Sequence, residues 1–191
     1  MFFPESFWKK MKISTICSLP STKAQIQANI GNLYLDEDPE KAQKYFEDAL
    51  SVLENNFELE PDEEIHYSGL KTVLNNLITV FKNQKEYEKA VEMYSKLLSF
   101  QQRMLELDPE DREYTKELAA TYASLALLYS EKGDIEQESH YHRLALDILE
   151  KLLEESSDDP EFLQRFTVGL YILGSTLKKL RKNFMQSSRK Q

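Results

Sequence analysis

Through the body of the chain, apolar residues return every three or four positions between charged and amide side chains, which is the pattern of amphipathic helices. The segments that carry this pattern repeat. "PEKAQKYFEDALSVL" begins at Pro39, "YEKAVEMYSKLLSFQ" at Tyr87 and "IEQESHYHRLALDIL" at Ile135, so successive starts lie 48 residues apart. Stacked, they align Glu40, Glu88 and Glu136, then Phe46, Tyr94 and His142. Ala49, Leu97 and Ala145 follow, and then Leu50, Leu98 and Leu146. A second kind of segment precedes each of them, "NIGNLYL", "NLITVFK" and "SLALLYS", and recurs once more as "ILGSTLK". There Gly31, Ile78, Ala126 and Gly174 align, each followed three positions later by Tyr34, Phe81, Tyr129 or Leu177.

The periodicity predicts seven helices, roughly 21–36, 39–57, 62–83, 86–107, 109–132, 134–156 and 160–183. Start signals agree. Asp38-Pro39-Glu40, Asp108-Pro109-Glu110 and Asp159-Pro160-Glu161 each offer an Asp carboxylate to the free amides of a first turn. The proline then sits where no hydrogen bond is lost, and the acid at the positive end of the helix dipole. Thr22 and Gln25 have the spacing of a capping box. Gly133 suits a left-handed helix end, with Asp134 capping the next helix. Short loops make neighbours antiparallel, and a lone helical pair cannot bury its apolar faces, so pairs must stack. The expected fold is all-α, an α-solenoid of antiparallel helix pairs. Its repeats fall at about 22–60, 61–108 and 109–159, with a terminal helix at 160–183 that is expected to act as a cap, the alternative being a stretch of a longer array. Residues 1–20 are expected to form a disordered or capping leader, and residues 184–191 a disordered basic tail.

The small and aromatic positions resemble the tetratricopeptide repeat (TPR). Leu77-Ile78 with Phe81, Leu125-Ala126 with Tyr129 and Leu173-Gly174 with Leu177 follow the pattern of that family's first helix. Ala42/Phe46/Ala49 and Ala90/Tyr94/Leu97 follow its second. The period departs from the family's usual length of about 34 residues. The extra residues would add roughly two turns to each helix, an extended variant. Armadillo-like and HEAT-like repeats share the longer period but match these positions less well. The resemblance implies a right-handed solenoid whose first helices line a concave surface for a protein or peptide partner. It places Gln25, Asn32, Asn75, Thr79, Lys82, Ser130, Tyr171, Ser175 and Lys178 on that surface, among alanines and Leu127. Asn32 and Asn76 match the amide positions of TPR domains that clamp acidic chaperone tails. The basic positions of that clamp hold Ala28, Ala120 and Ser124, so a carboxylate would find nothing to hold it.

Charge narrows the class of partner. The net charge is −9, but residues 1–23 carry +3 and residues 174–191 carry +6, which leaves an acidic body of −18. An acidic body does not displace counterions from phosphate, so nucleic acid is not the expected partner. The arginines of the body, Arg103, Arg112, Arg143 and Arg165, are too scattered for a phosphopeptide site. Cys17 is the only cysteine, which rules out a disulfide within one chain and fits a reducing cytoplasm. No apolar run reaches membrane-spanning length, so no membrane partner is expected.

One stretch invites a chemical reading. "GDIEQESHYHRLAL" holds His140 and His142 beside Glu136 and Glu138. Helical geometry turns the two histidines about 200° apart, so they cannot share a metal. Glu138 and His142 share a face, but at the positions of Ala42/Phe46 and Ala90/Tyr94. The expectation is a packed ring bonded to Glu138, with a metal or acid–base site there as the lesser alternative. No catalytic residue, metal or cofactor is otherwise indicated. The sequence therefore reads as a non-enzymatic, cytoplasmic protein-binding scaffold. Its rival within the same class is a subunit that self-associates through the ends of its stack.

Overall fold

The computed structural model describes residues 20–60 and 64–155, together with Gln164, Val168, Gly169, Tyr171, Ile172, Ser175, Thr176 and Lys178. Among the described residues every regular element is a helix, so the fold is all-α. The order is α1 (Pro20–Tyr34), α2 (Pro39–Leu59), α3 (Glu64–Asn83), α4 (Tyr87–Leu107), α5 (Arg112–Lys132) and α6 (Ile135–Glu155). The expected seventh helix is described only at the eight positions from 164 to 178 named above, all of them helical. Residues 1–19 of the leader and the basic tail lie outside the described residues, as do the Asp159-Pro160 cap and Cys17, while Pro20 already opens α1.

Most boundaries follow the start signals, with two corrections. Asp38 caps α2 through a 3.0 Å bond from the Lys41 amide. Gly133 ends α5 at φ 81°, and Asp134 accepts the Gln137 amide at 3.1 Å. Asp108, however, does not cap α5. Its own amide bonds Met104 O at the end of α4, and Pro109-Glu110 form a turn. Asp111 caps instead, accepting the Glu113 and Tyr114 amides at 2.7 and 3.1 Å. It offers its carboxylate at the right offset once the turn has reversed the chain. The capping box is the second correction. α1 is already helical at Pro20, which puts Thr22 inside a turn, and Gln25 bonds Asn29 rather than reaching back.

The chain divides into two compact units, Met1–Leu97 and Leu98–Gln191, with the boundary inside α4. In the first unit α1 packs on α2 and α2 on α3. The core is the apolar stripe anticipated from the periodicity: Ala42, Phe46, Ala49 and Phe57 of α2, with Leu70, Leu74 and Leu77 of α3. Gly31 is required by close approach. A Cβ there would lie 2.6 Å from Cε1 of Phe46, whose ring is fully buried. Lys96 and Glu54 tie α4 to α2 at 2.8 Å.

In the second unit α5 packs on α6. Leu125, Ala126 and Leu128 of α5 are buried, as are Ala145, Leu146 and Leu152 of α6. A buried Gln101 on α4 donates to Thr121 of α5 at 2.9 Å. One surface feature repeats in both units. Tyr34 stacks on Tyr45 at 6.0 Å in the first, and Tyr129 on Tyr141 at 5.3 Å in the second, in matching places of the repeat. A lysine lies over the leading ring of each pair, Lys41 at 3.7 Å and Lys132 at 5.7 Å.

Candidate functional site

Two parts of the chain carry candidate chemistry: the polar exceptions in the third repeat and the exposed side of the first helices. On α6, His140 is exposed and meets Tyr141 edge-on, while His142 is turned inward and only 5% exposed. The histidines thus diverge as helical geometry requires. Among the described residues no group of three His, Cys, Asp or Glu side chains could hold a metal ion.

The bond expected between His142 and Glu138 is not the one that holds the carboxylate. Thr176 donates to Oε1 of Glu138 at 2.8 Å, and both residues are buried, at 1% and 4% exposure. Nε2 of His142 is buried without a hydrogen-bond partner. Burial lowers the pKa of the ring below its ordinary 6.5, against the opposing pull of the Glu138 charge. His142 is therefore a neutral imidazole at neutral pH. Thr176 was not singled out by the sequence reading, although a signal existed. Its counterparts 96 and 48 residues earlier are Val80 and Leu128, and those of Glu138 are Ala42 and Ala90. An apolar column thus turns polar at both of its positions where the third repeat meets the terminal helix.

The residues expected on the partner-binding surface all belong to first helices. In the first unit Gln25, Asn32, Asn75 and Thr79 are exposed and Lys82 is half-buried. Asn32 accepts from the amide of Asn76 at 2.9 Å, so two amides already bridge α1 and α3. The hydroxyl of Thr79 turns back to the Asn75 carbonyl at 2.9 Å, leaving its methyl group as the outward surface. In the second unit Ser130 is half-buried, while Tyr171, Ser175 and Lys178 are exposed.

Between successive first helices lies a groove, one in each unit, at matching positions of the repeat. In the first unit it holds about 260 Å³ and is lined by Ala24, Gln25 and Ala28 of α1, Leu53 of α2, and Thr72 and Val73 of α3, among others. In the second it holds about 370 Å³, and Ala119, Ala120, Ala123, Leu149, Val168 and Gly169 stand at the corresponding places. Gln25 and Thr72 are thus replaced by Ala120 and Val168, which makes the second groove the more apolar. His142 forms part of its wall, whereas Phe46 at the matching position is not among the residues lining the first groove. A third cavity of about 570 Å³ adjoins Arg112 and Lys151. There Arg112 donates to the Leu152 carbonyl at 3.3 Å, sealing the end of α6.

A family model described as "Uncharacterized protein conserved in bacteria (DUF2225)" matches residues 62–188, well over half of the chain. The chain belongs to the DUF2225 family. The matched range begins near the start of α3 and takes in residues 98–188 of the second unit, including Glu138, His142 and Thr176. No curated protein sequence matches this DUF2225 member. Among solved structures it is similar to the crystal structure of BtubC (BKLC) from P. vanneervenii, with a TM-score of 0.58 and 22% identity. That similarity covers 89% of this chain and 62% of the other, so this chain spans less than two thirds of its neighbour's length. At such identity the likeness concerns the fold. No helix among the described residues of this DUF2225 chain is long and apolar enough to cross a membrane.

Proposed function

We propose that the chain is a non-enzymatic scaffold, a TPR-like right-handed solenoid in the cytoplasm, that binds a protein or peptide along its first helices. The observation that carries the reading is the recurrence of the groove between first helices at matching places in both units. A groove that served only packing would close wherever the sequence allowed. Here it persists, and it is flanked by exposed apolar side chains, Ile65 at 66% in the first unit and Leu127 at 52% in the second. Outward amides at Asn32 and Asn75 add hydrogen-bonding capacity to the same side of the first unit. The buried Glu138–Thr176 bond supports a structural role for the one stretch that invited an enzymatic reading.

The test is affinity capture on the full chain, repeated after changing Asn32, Asn75 and Thr79 together to Ala. The expected result is loss of specific captured proteins with the helical content unchanged. Persistence of every captured protein overturns the reading.

A further inference from the structure

We propose that the groove of the second unit is an anchor pocket for one aromatic side chain bearing an N–H or O–H donor, a tryptophan or tyrosine of the partner. The proposal rests on the reading of the first-helix face above and specifies what that face selects. Size comes first. A cavity of about 370 Å³ is at the scale of ligand pockets. Aromatic side chains are the groups that interfaces bury in such pockets as anchors.

The walls set the chemistry. Ala119, Ala123, Ala145, Leu146, Leu149 and Ile172 present only methyl and methylene groups. Leu127 and Val168, each about half exposed, flank the opening. The one charged residue of the described wall is Lys116, and its ammonium already holds Glu113 at 2.7 Å. Nothing there selects an anion or a cation.

His142 supplies the remaining condition. Its ring belongs to the wall, is 95% withdrawn from solvent and has a nitrogen without a partner. Buried polar atoms in folded proteins are nearly always paired, so an orphan on a residue that lines an empty cavity leaves a place for a donor from a ligand. A neutral imidazole can offer one nitrogen as an acceptor. Nε2 is itself buried, so the proposal requires the ring to turn about its broad χ2 torsion to meet a donor in the cavity. An indole N–H or a phenol O–H provides that donor, and a phenylalanine or an aliphatic side chain does not. The matching position of the first unit holds Phe46, which has no polar atom, and the groove there is rimmed by Gln25 and Thr72. The selectivity therefore belongs to the second unit.

The experiment is an NMR titration of the full chain with indole and with benzothiophene, which has the same shape and lacks the N–H. Both are expected to perturb Ala119, Ala123 and Leu149, with indole binding about fivefold to tenfold more tightly. Bound indole should show a nuclear Overhauser contact to the His142 ring, a readout that needs no substitution. His142→Phe should bring the two probes to equal affinity, and Ala123→Leu should exclude both. The proposal is overturned if neither probe perturbs these residues at millimolar concentration. Equal affinity of the two probes for the unmodified chain overturns it as well, as does bound indole without the contact to His142. Should indole bind as described while the Asn32/Asn75/Thr79 variant captures an unchanged set of proteins, the scaffold reading falls and the pocket stands. Should the probes fail while that capture is lost, the pocket alone is wrong.

Discussion

In the first unit, Ala42, Phe46 and Val80 are apolar and buried, and the Phe46 ring is pressed against Gly31. In the second unit, the same repeat positions hold Glu138, His142 and Thr176, and these are buried to the same degree. Gly31 itself is matched by Ala126, so a larger backbone-side residue accompanies the smaller ring. A helical repeat can therefore fill one column in two ways. It can pack a large ring into a space that only glycine leaves open. It can also bury polar groups, provided that each finds a partner. Glu138 has found Thr176. His142 has not, and it lines a groove that is larger and more apolar than that of the first unit.

The largest test of this contrast is truncation. Phe46→Ala should cost about 3–5 kcal/mol in urea denaturation, because the ring is fully enclosed. His142→Ala should cost clearly less, since that ring already borders an open cavity. Equal losses would erase the distinction between the two columns. Next comes the polar pair. Thr176→Val should cost about 1–3 kcal/mol by leaving a buried carboxylate without its donor. Adding Glu138→Ala recreates the Ala42/Val80 combination and should recover part of that loss. A double-mutant cycle that shows no coupling would mean that the bond does not hold the terminal helix.

A smaller effect concerns the turn between first and second helices. Lys85, matching Gly133, is held at φ 59°, where a side chain is strained. Lys85→Gly should raise stability by about 1 kcal/mol, as judged by the denaturation midpoint. Gly133→Lys should lower it by a similar amount. The smallest effect is the pH response. The pKa of His142 is lowered in the folded state, so its contribution is fully present above the ordinary value of 6.5. As pH falls below that value the unfolded state takes up the proton first, and stability is lost. The wild-type chain should lose more stability than His142→Phe between pH 7.5 and pH 5.5. An identical loss in both would remove His142 from the acid response.

Much of this was legible in the residues. Alignment at 48 positions found the helices, the Ala42/Phe46/Ala49 stripe, the Gly133-Asp134 turn and the opposite facing of His140 and His142. These are local facts, fixed by 3.6-residue periodicity and by the demands of helix ends. Misreadings arose where two local signals competed. Asp108 has the proline and acid of a cap, yet the path of the turn gives that role to Asp111. Thr22 and Gln25 fit a capping box, yet the helix already runs through Pro20.

The partner of Glu138 was a different matter. On its own helix His142 sits four residues away, so sequence spacing favours that pair. Thr176 lies 38 residues further on, and only packing brings its hydroxyl within 2.8 Å. The sequence by itself determined an all-α repeat, its period and the places where the third copy departs from the rule. Tertiary structure decided which polar group answers which, that His142 keeps an unpaired nitrogen, and that the second groove is larger and more apolar than the first. The reason is physical. Helix periodicity is set by bonds between near neighbours, whereas a buried polar atom is satisfied by whatever the fold places beside it.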